Sequence, residues 1–201
     1  MHIDASPFDA LTLRNITNIM AAKEDLIYKA LQVSVARQHR WCQPVEQRFL
    51  DDLNSRYHCL NLHSVFQKGT VEFQLFNGTV HAGKIKAYIQ FCLAIGAQAL
   101  NQSCASRRKT VTENEKYTFH TWLLRLGLIG DEFKTARGHL LEHLDGCIAW
   151  KDPAQALAQK ERMRQKKEKE MAEAAERQAV AEGHTEKQEA REESPAFTMS
   201  M

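Results

Sequence analysis

No Cys-x-x-Cys pair occurs in the chain, and its five cysteines, Cys42, Cys59, Cys92, Cys104 and Cys147, are odd in number and widely scattered. They read as reduced thiols of a cytoplasmic protein. No run approaches the ~18 apolar residues of a membrane-spanning helix. The basic and apolar segments of a signal peptide are also missing, so neither a membrane partner nor export is expected. A dominant charge is absent too: 17 basic residues stand against 14 acidic over 1–150, and 10 against 11 over 151–201. That balance speaks against a dedicated nucleic-acid binder, even though Arg107, Arg108 and Lys109 form a basic triplet, read here as an exposed loop. The H-E-x-x-H order of a zinc peptidase is lacking: His139 and His143 have the right spacing, but Glu142 sits off the pattern, so both read as structural or surface histidines. No glycine loop completes a phosphate cradle around His39, Arg40 and Arg48, which read as surface charge.

From Pro153 onward Ala, Glu, Lys, Gln and Arg crowd out aromatic and β-branched residues. Some 150 residues remain to supply a core, enough for one domain. Residues 151–201 read as a charged, helix-prone tail that is largely disordered, entirely so from Gly183, and that could meet a partner through its helical part. Within 1–150, Ser6 as cap and Pro7 at the first helical position start a helix running to about Gln32, with Lys23, Glu24 and Asp25 on a solvated face. Pro44 opens a short helix containing Val45, Phe49, Leu50 and Leu53. Residues 81–101 form the clearest helix, whose stripe is Ile85, Ile89, Cys92, Gly96 and Ala99, widened by Leu93 and Leu100. Two more helices span 115–126 and 133–148, separated by Gly127 and Gly130.

The most strongly patterned run is G-T-V-E-F-Q-L-F-N-G-T, residues 69–79. Val71, Phe73 and Leu75 alternate with Glu72, Gln74 and Phe76, so a strand puts each set on its own face, and Asn77-Gly78 ends it in a turn. Residues 56–63 form a second strand, joined through 64–69 as an antiparallel hairpin that brings Asn61 or His63 within reach of Glu72 and Gln74. His58 and His63, five apart, fall on opposite faces of a regular strand and cannot share one metal. The fold class expected is α/β in the α+β sense, antiparallel strands with packed helices.

The run T-V-E-F-x-L-F-N-G-T, preceded by R-Y-x-x-L-N-L-H and followed by H-A-G-K-I-K-A-Y-I-Q-F-C-L-A, resembles the amidoligases, a branch of the glutamine-synthetase-like carboxylate–amine ligases. The resemblance covers roughly residues 1–150. It implies a partial glutamine-synthetase-like catalytic domain in 1–150 and an ATP-dependent ligase that joins a carboxylate substrate to an amine. The cofactors implied are ATP with Mg2+ or Mn2+. On this resemblance Glu72 is a metal ligand and, with Gln74, a catalytic residue, His2 is a metal or nucleotide contact, and Arg56, Asn61 and Asn77 are pocket residues. Members usually read E-F-R where this chain has Glu72-Phe73-Gln74; glutamine keeps a donor but loses the fixed charge and fork of arginine. His2-Ile3-Asp4 matches the second half of the family's H-x-H-[IV]-x strand. The family's first histidine and acidic strand have no counterpart in these residues, and the region before Arg56 is shorter than usual. This leaves open a non-catalytic interaction protein that keeps the ligase fold.

Residues 153–201 carry too little apolar surface to offset ~1–2 kcal/mol of backbone ordering per residue. They are therefore expected to lack stable tertiary contacts. Amide hydrogen exchange on the whole chain checks this, and strong protection anywhere beyond Ala158 overturns it.

Overall fold

A computed structural model describes residues 1–45 and 56–192. It is a mixed α/β structure in which a small antiparallel sheet is packed by helices. Three short strands form the sheet: β1 (His2–Asp4), β2 (Leu60–Asn61) and β3 (Thr70–Phe73), in the order β1-β3-β2. Both neighbours run antiparallel to β3, and Glu72 stands opposite His2 on one side and Asn61 on the other. The sequence alternation holds beyond the strand: Val71, Phe73 and Leu75 are fully buried, whereas Glu72, Gln74 and Phe76 are only partly covered.

The expected second strand is shorter than its pattern. Only Leu60 and Asn61 pair with β3, while Gln43 forms an isolated parallel bridge to His58 on the other side. His63 has left the sheet and opens the short helix α3 (His63–Lys68), which ends at Gly69 with φ 65°. Glycine enters that left-handed region without the Cβ clash other residues meet, and the chain can turn at once into β3.

Helix α1 (Ala10–Ala30) starts later than expected. Asp9, not Ser6, is the cap: its carboxylate accepts from the Thr12 N–H at 2.8 Å, and the Thr12 hydroxyl oxygen accepts from the Asp9 N–H at 2.8 Å. The reciprocal pair satisfies donors that the first turn cannot, and Ser6 is spent on the Asp4 carboxylate instead. Nor is Glu24 solvated. It is 3% exposed, accepts from the buried Val45 N–H and from the Cys59 thiol, and lies 3.9 Å from the Lys109 ammonium. Burial pushes its carboxyl above the usual range against those stabilising contacts. Lys23 is half-buried under Trp122 and bonded to Thr110, and of the three charges only Asp25 faces water, pairing with Lys109.

After α1, Gln32 takes φ 52° and a short helix α2 (Val35–Arg40) follows. Of the short helix expected from Pro44, all but Pro44 and Val45 falls outside the described residues, as does Arg48. Helix α4 (Ala82–Asn101) is where expected, but its buried face is Ala87, Phe91, Cys92, Ile95, Gly96 and Ala99. Ile85, Ile89, Leu93 and Leu100 look outward, 36–56% exposed. The reason lies in what packs there: α1 and residues 134–141 cover this face, and at Gly96, where a Cβ would lie 3.0 Å from Ile3 Cδ1, it also meets β1. Helix α5 (Glu115–Arg125) agrees with expectation, whereas α6 (Lys134–Leu141) stops well short of residue 148. There the chain turns back at Gly146 (φ 99°), with Asp145 paired to Lys29 and the Trp150 carbonyl accepting from Asn114.

The chain divides into two compact units at Pro153. Helix α7 (Pro153–Glu192) makes up the described part of the second, with exposed Leu157, Met163 and Met171 and ion pairs such as Arg164–Glu161 and Lys166–Glu170 along its side. Helical geometry continues past Gly183, where disorder is expected from composition; the Ala, Glu, Lys, Gln and Arg of this stretch have high intrinsic helix propensity. Residues 193–201 lie outside the described residues.

Phe73 is among the largest side chains with no exposure, in one cluster with Val71, Leu75, Phe91 and Ile95. Phe73→Ala should cost ~3–5 kcal/mol in a denaturant titration, the range for truncating a buried aromatic. A loss near zero would mean that Phe73 does not anchor the sheet to the helices.

Candidate functional site

The partly covered face of β3 carries a cluster built by strand register. Because Glu72 is cross-strand from both His2 and Asn61, all three side chains project from the same face. Asn61 Nδ2 donates to Glu72 Oε2 at 2.8 Å, and the Ser64 hydroxyl donates to the same oxygen at 3.0 Å. Asn61 is itself held, its amide oxygen accepting from the His63 N–H at 2.9 Å where the chain enters α3. Glu72 Oε1 is left facing His2 Nε2 at 3.4 Å, and the other ring nitrogen of His2 meets Thr70 Oγ1 at 2.9 Å. The two side chains are 21% and 39% exposed, so the pair is reachable from solvent while its supports are covered.

Burial raises the Glu72 pKa, but the hydrogen bonds from Asn61 and Ser64, with the nearby Gln74 amide and His2, lower it by more. The carboxyl is held below its ordinary range and is ionised at neutral pH. Two donors on one oxygen with the second oxygen facing an imidazole make a one-oxygen, one-nitrogen corner. Mg2+ is commonly bound by one or two carboxylates with water and phosphate oxygens, and an imidazole beside the carboxylate suits Mn2+ as well. The residues present therefore fit a divalent cation that takes its remaining ligands from water or a nucleotide. Among the described residues no group of three or more His, Cys, Asp or Glu side chains forms a closed metal cage.

Of the site residues expected from sequence, the structure brings His2, Asn61 and Glu72 together and leaves Gln74 next along the face. The Gln74 amide donates to the Arg56 carbonyl at 3.1 Å. The Arg56 guanidinium lies over the Tyr57 ring instead of turning to Glu72. Asn77 is a latch at the far end of the segment: its Nδ2 donates to the Leu31 and Gln32 carbonyls, and its oxygen accepts from Arg37 at 2.6 Å. Sequence reasoning missed Thr70, Ser64 and Arg37. Thr70 was findable, being two residues from Glu72 and so on its face. Ser64 reaches Glu72 only because α3 curls over the strand end. Arg37, which also donates to the Gln74 carbonyl at 2.7 Å, comes from a helix with no sequence signal of its partner.

Residues 1–55 and 51–96 match the family described as "Putative amidoligase enzyme". Together the two segments run over residues 1–96, just under half of the 201, and contain every member of the Glu72 cluster. Over this stretch the chain is similar to that family. No match was found among curated proteins, nor among solved structures.

A carboxylate whose folded-state pKa lies below its unfolded value stabilises the fold at neutral pH, and that contribution disappears as pH falls through the folded value. The stability difference between wild type and Glu72→Gln should therefore be largest near pH 7 and narrow as pH drops below about 4.5. Denaturant titrations at pH 7, 5 and 3.5 measure it, and a difference independent of pH would overturn the assignment of an ionised, hydrogen-bonded Glu72.

Proposed function

We propose, taking the similarity of residues 1–96 to the amidoligases as the premise, that this protein is an ATP-dependent carboxylate–amine ligase of the glutamine-synthetase-like type. Supporting this reading above all is the ionised Glu72 carboxylate, with one oxygen fixed by Asn61 and Ser64 and the other offered beside His2. Ligation of this kind activates the carboxylate as an acyl phosphate, with ADP leaving, before the amine displaces phosphate and the amide bond forms. A divalent cation bound there supplies charge compensation for the nucleotide phosphates.

The chain's own residues have definable tasks in this scheme. Asn61 and Ser64 set the orientation of Glu72 and keep it ionised, so that Oε1 with His2 Nε2 forms the cation-binding corner. Thr70 fixes the ring of His2 through its second nitrogen. Gln74, further along the same face, is placed to contact phosphate oxygens as a neutral donor once it lets go of the Arg56 carbonyl. Pocket shape decides which carboxylate and which amine are joined.

A second reading, a nucleotide- or partner-binding module without turnover, is favoured by one observation. Gln74 stands where the resemblance implies arginine, and its amide is spent on the Arg56 carbonyl. A neutral amide offers far less to a transferring phosphoryl group than a guanidinium fork does.

Calorimetric titration of magnesium-ATP and manganese-ATP into the full chain tests the site. Wild type should bind, Glu72→Gln should lose at least tenfold in affinity while keeping its fold, and Gln74→Arg should bind more tightly than wild type. Amide formation with product detection by mass spectrometry then separates the ligase from the module. Absence of binding in all three proteins would overturn the ligase reading and favour a non-catalytic module that keeps the fold and binds a partner.

A further inference from the structure

A second concave site lies beyond the far end of the same strand segment. After Leu75 enters the core, Phe76 stacks on Tyr88 of α4 with ring centroids 4.4 Å apart, and the chain crosses residues 77–79 before α4 begins. Beside this crossing is a cavity of about 130 Å³ whose polar lining includes Asn77, Thr79, Lys84, Tyr88, His139 and His143. It has room for several waters, given the ~30 Å³ that one occupies in the liquid.

The walls are fixed. Asn77 is tied at both ends of its amide to the α1 terminus and to Arg37. Helices α4 and α6 meet so closely that a Cβ on Gly83 would lie 2.9 Å from His139 Nε2, and the His139 ring packs edge-on against His81, centroids 5.1 Å apart. The His81 Nδ1 accepts from the Lys84 N–H, which orients the start of α4. Thr79 Oγ1 accepts from the His81 N–H, leaving its own O–H to donate.

What the side chains offer is mostly donors: the Lys84 ammonium, two imidazoles and the Tyr88 and Thr79 hydroxyls. A half-exposed carboxylate, Glu142, pairs with Lys84 Nζ and with His143 Nε2 at 3.7 Å each, longer than a normal hydrogen bond, so a bound anion would compete with it for both groups. A cation is disfavoured by Lys84, and an apolar ligand by the polar lining. Lining donors come from four segments, the 77–79 crossing, α4, α6 and the turn after it, which suits an oxyanion with several oxygens to be met.

We propose that this cavity binds a phosphoryl group, with Lys84 as the charged anchor and His139, His143 and Thr79 as hydrogen-bond donors. The inference stands apart from the ligase reading, because it uses none of the Glu72 cluster. The phosphoryl group could arrive as free phosphate or as the end of a nucleotide, and the titration separates the two.

Inorganic phosphate is titrated calorimetrically into the full chain, into Lys84→Gln, His139→Gln and Glu72→Gln, and into wild type pre-saturated with ADP, with circular dichroism confirming each fold. Wild type and Glu72→Gln should bind phosphate equally, while Lys84→Gln should weaken it at least tenfold and His139→Gln severalfold. Competition by ADP assigns the cavity to a nucleotide's phosphate, and undiminished binding in its presence assigns it to free phosphate. No binding by wild type, or equal binding by wild type and both pocket variants, overturns the proposal. Loss of phosphate binding in Glu72→Gln alone would move the anion to the other site and overturn it as well.

Discussion

The double pairing of Glu72 is the constraint on which the rest of the structure depends. One residue of the central strand faces His2 across one ladder and Asn61 across the other. A slip of either edge strand by one residue would reverse its faces, sending His2 or Asn61 toward the core and Ile3 or Leu60 into water. The core enforces the register: Leu60, Val71 and Phe73 have no exposure, and Ile3 seats against Gly96. Packing on one side of the sheet thus sets the chemistry on the other.

So small a sheet needs external support, and Arg37 provides it. Its guanidinium donates to the Gln74 carbonyl and to the Asn77 side chain, while Asn77 reaches the Leu31 and Gln32 carbonyls just after α1. The segment leaving β3 is therefore gripped by main-chain and side-chain contacts from the long helix region. Gln74 and the start of α4 inherit their positions from that grip. Tyr28, whose hydroxyl donates to the Cys42 carbonyl at 2.7 Å, and Glu24, which holds the Val45 N–H, do the same for the chain that follows α2.

The site was legible in the sequence wherever a period of two governed it. Alternation around Glu72 separated the partly covered face from the core face, and a short connection brought Asn61 into reach; both hold in the structure. Periodicity was a poorer guide for α4, because apolar residues occupy two adjacent flanks of that helix. The outward stripe of Ile85, Ile89 and Leu93 is as regular as the inward one through Phe91 and Ile95, and only tertiary packing against α1, α5, α6 and the sheet selects between them. Glu24 was misread for a related reason: a charged triplet implies solvent unless a buried donor such as the Val45 N–H is known to be waiting. Ser64 and Arg37 act through a curled segment and a cross-chain contact, neither of which leaves a local pattern.

The sequence distances within the cluster have a kinetic consequence. Asn61 and Ser64 lie within a dozen positions of Glu72, so the carboxylate and its two donors come together when a short hairpin closes. His2 is 70 positions away, and the intervening chain contains all of α1. Closing so long a loop costs more entropy and is rewarded only once α1 and the sheet share a core. The half of the cluster that fixes the carboxylate is thus made locally and early, and the imidazole is delivered by collapse of the whole domain. During synthesis His2 emerges before Asn61, Ser64 and Glu72, yet it is the last of the four to find its place. A chain whose core is loosened would keep an oriented Glu72 while losing its histidine, uncoupling the anionic half of the corner from the nitrogen that completes it.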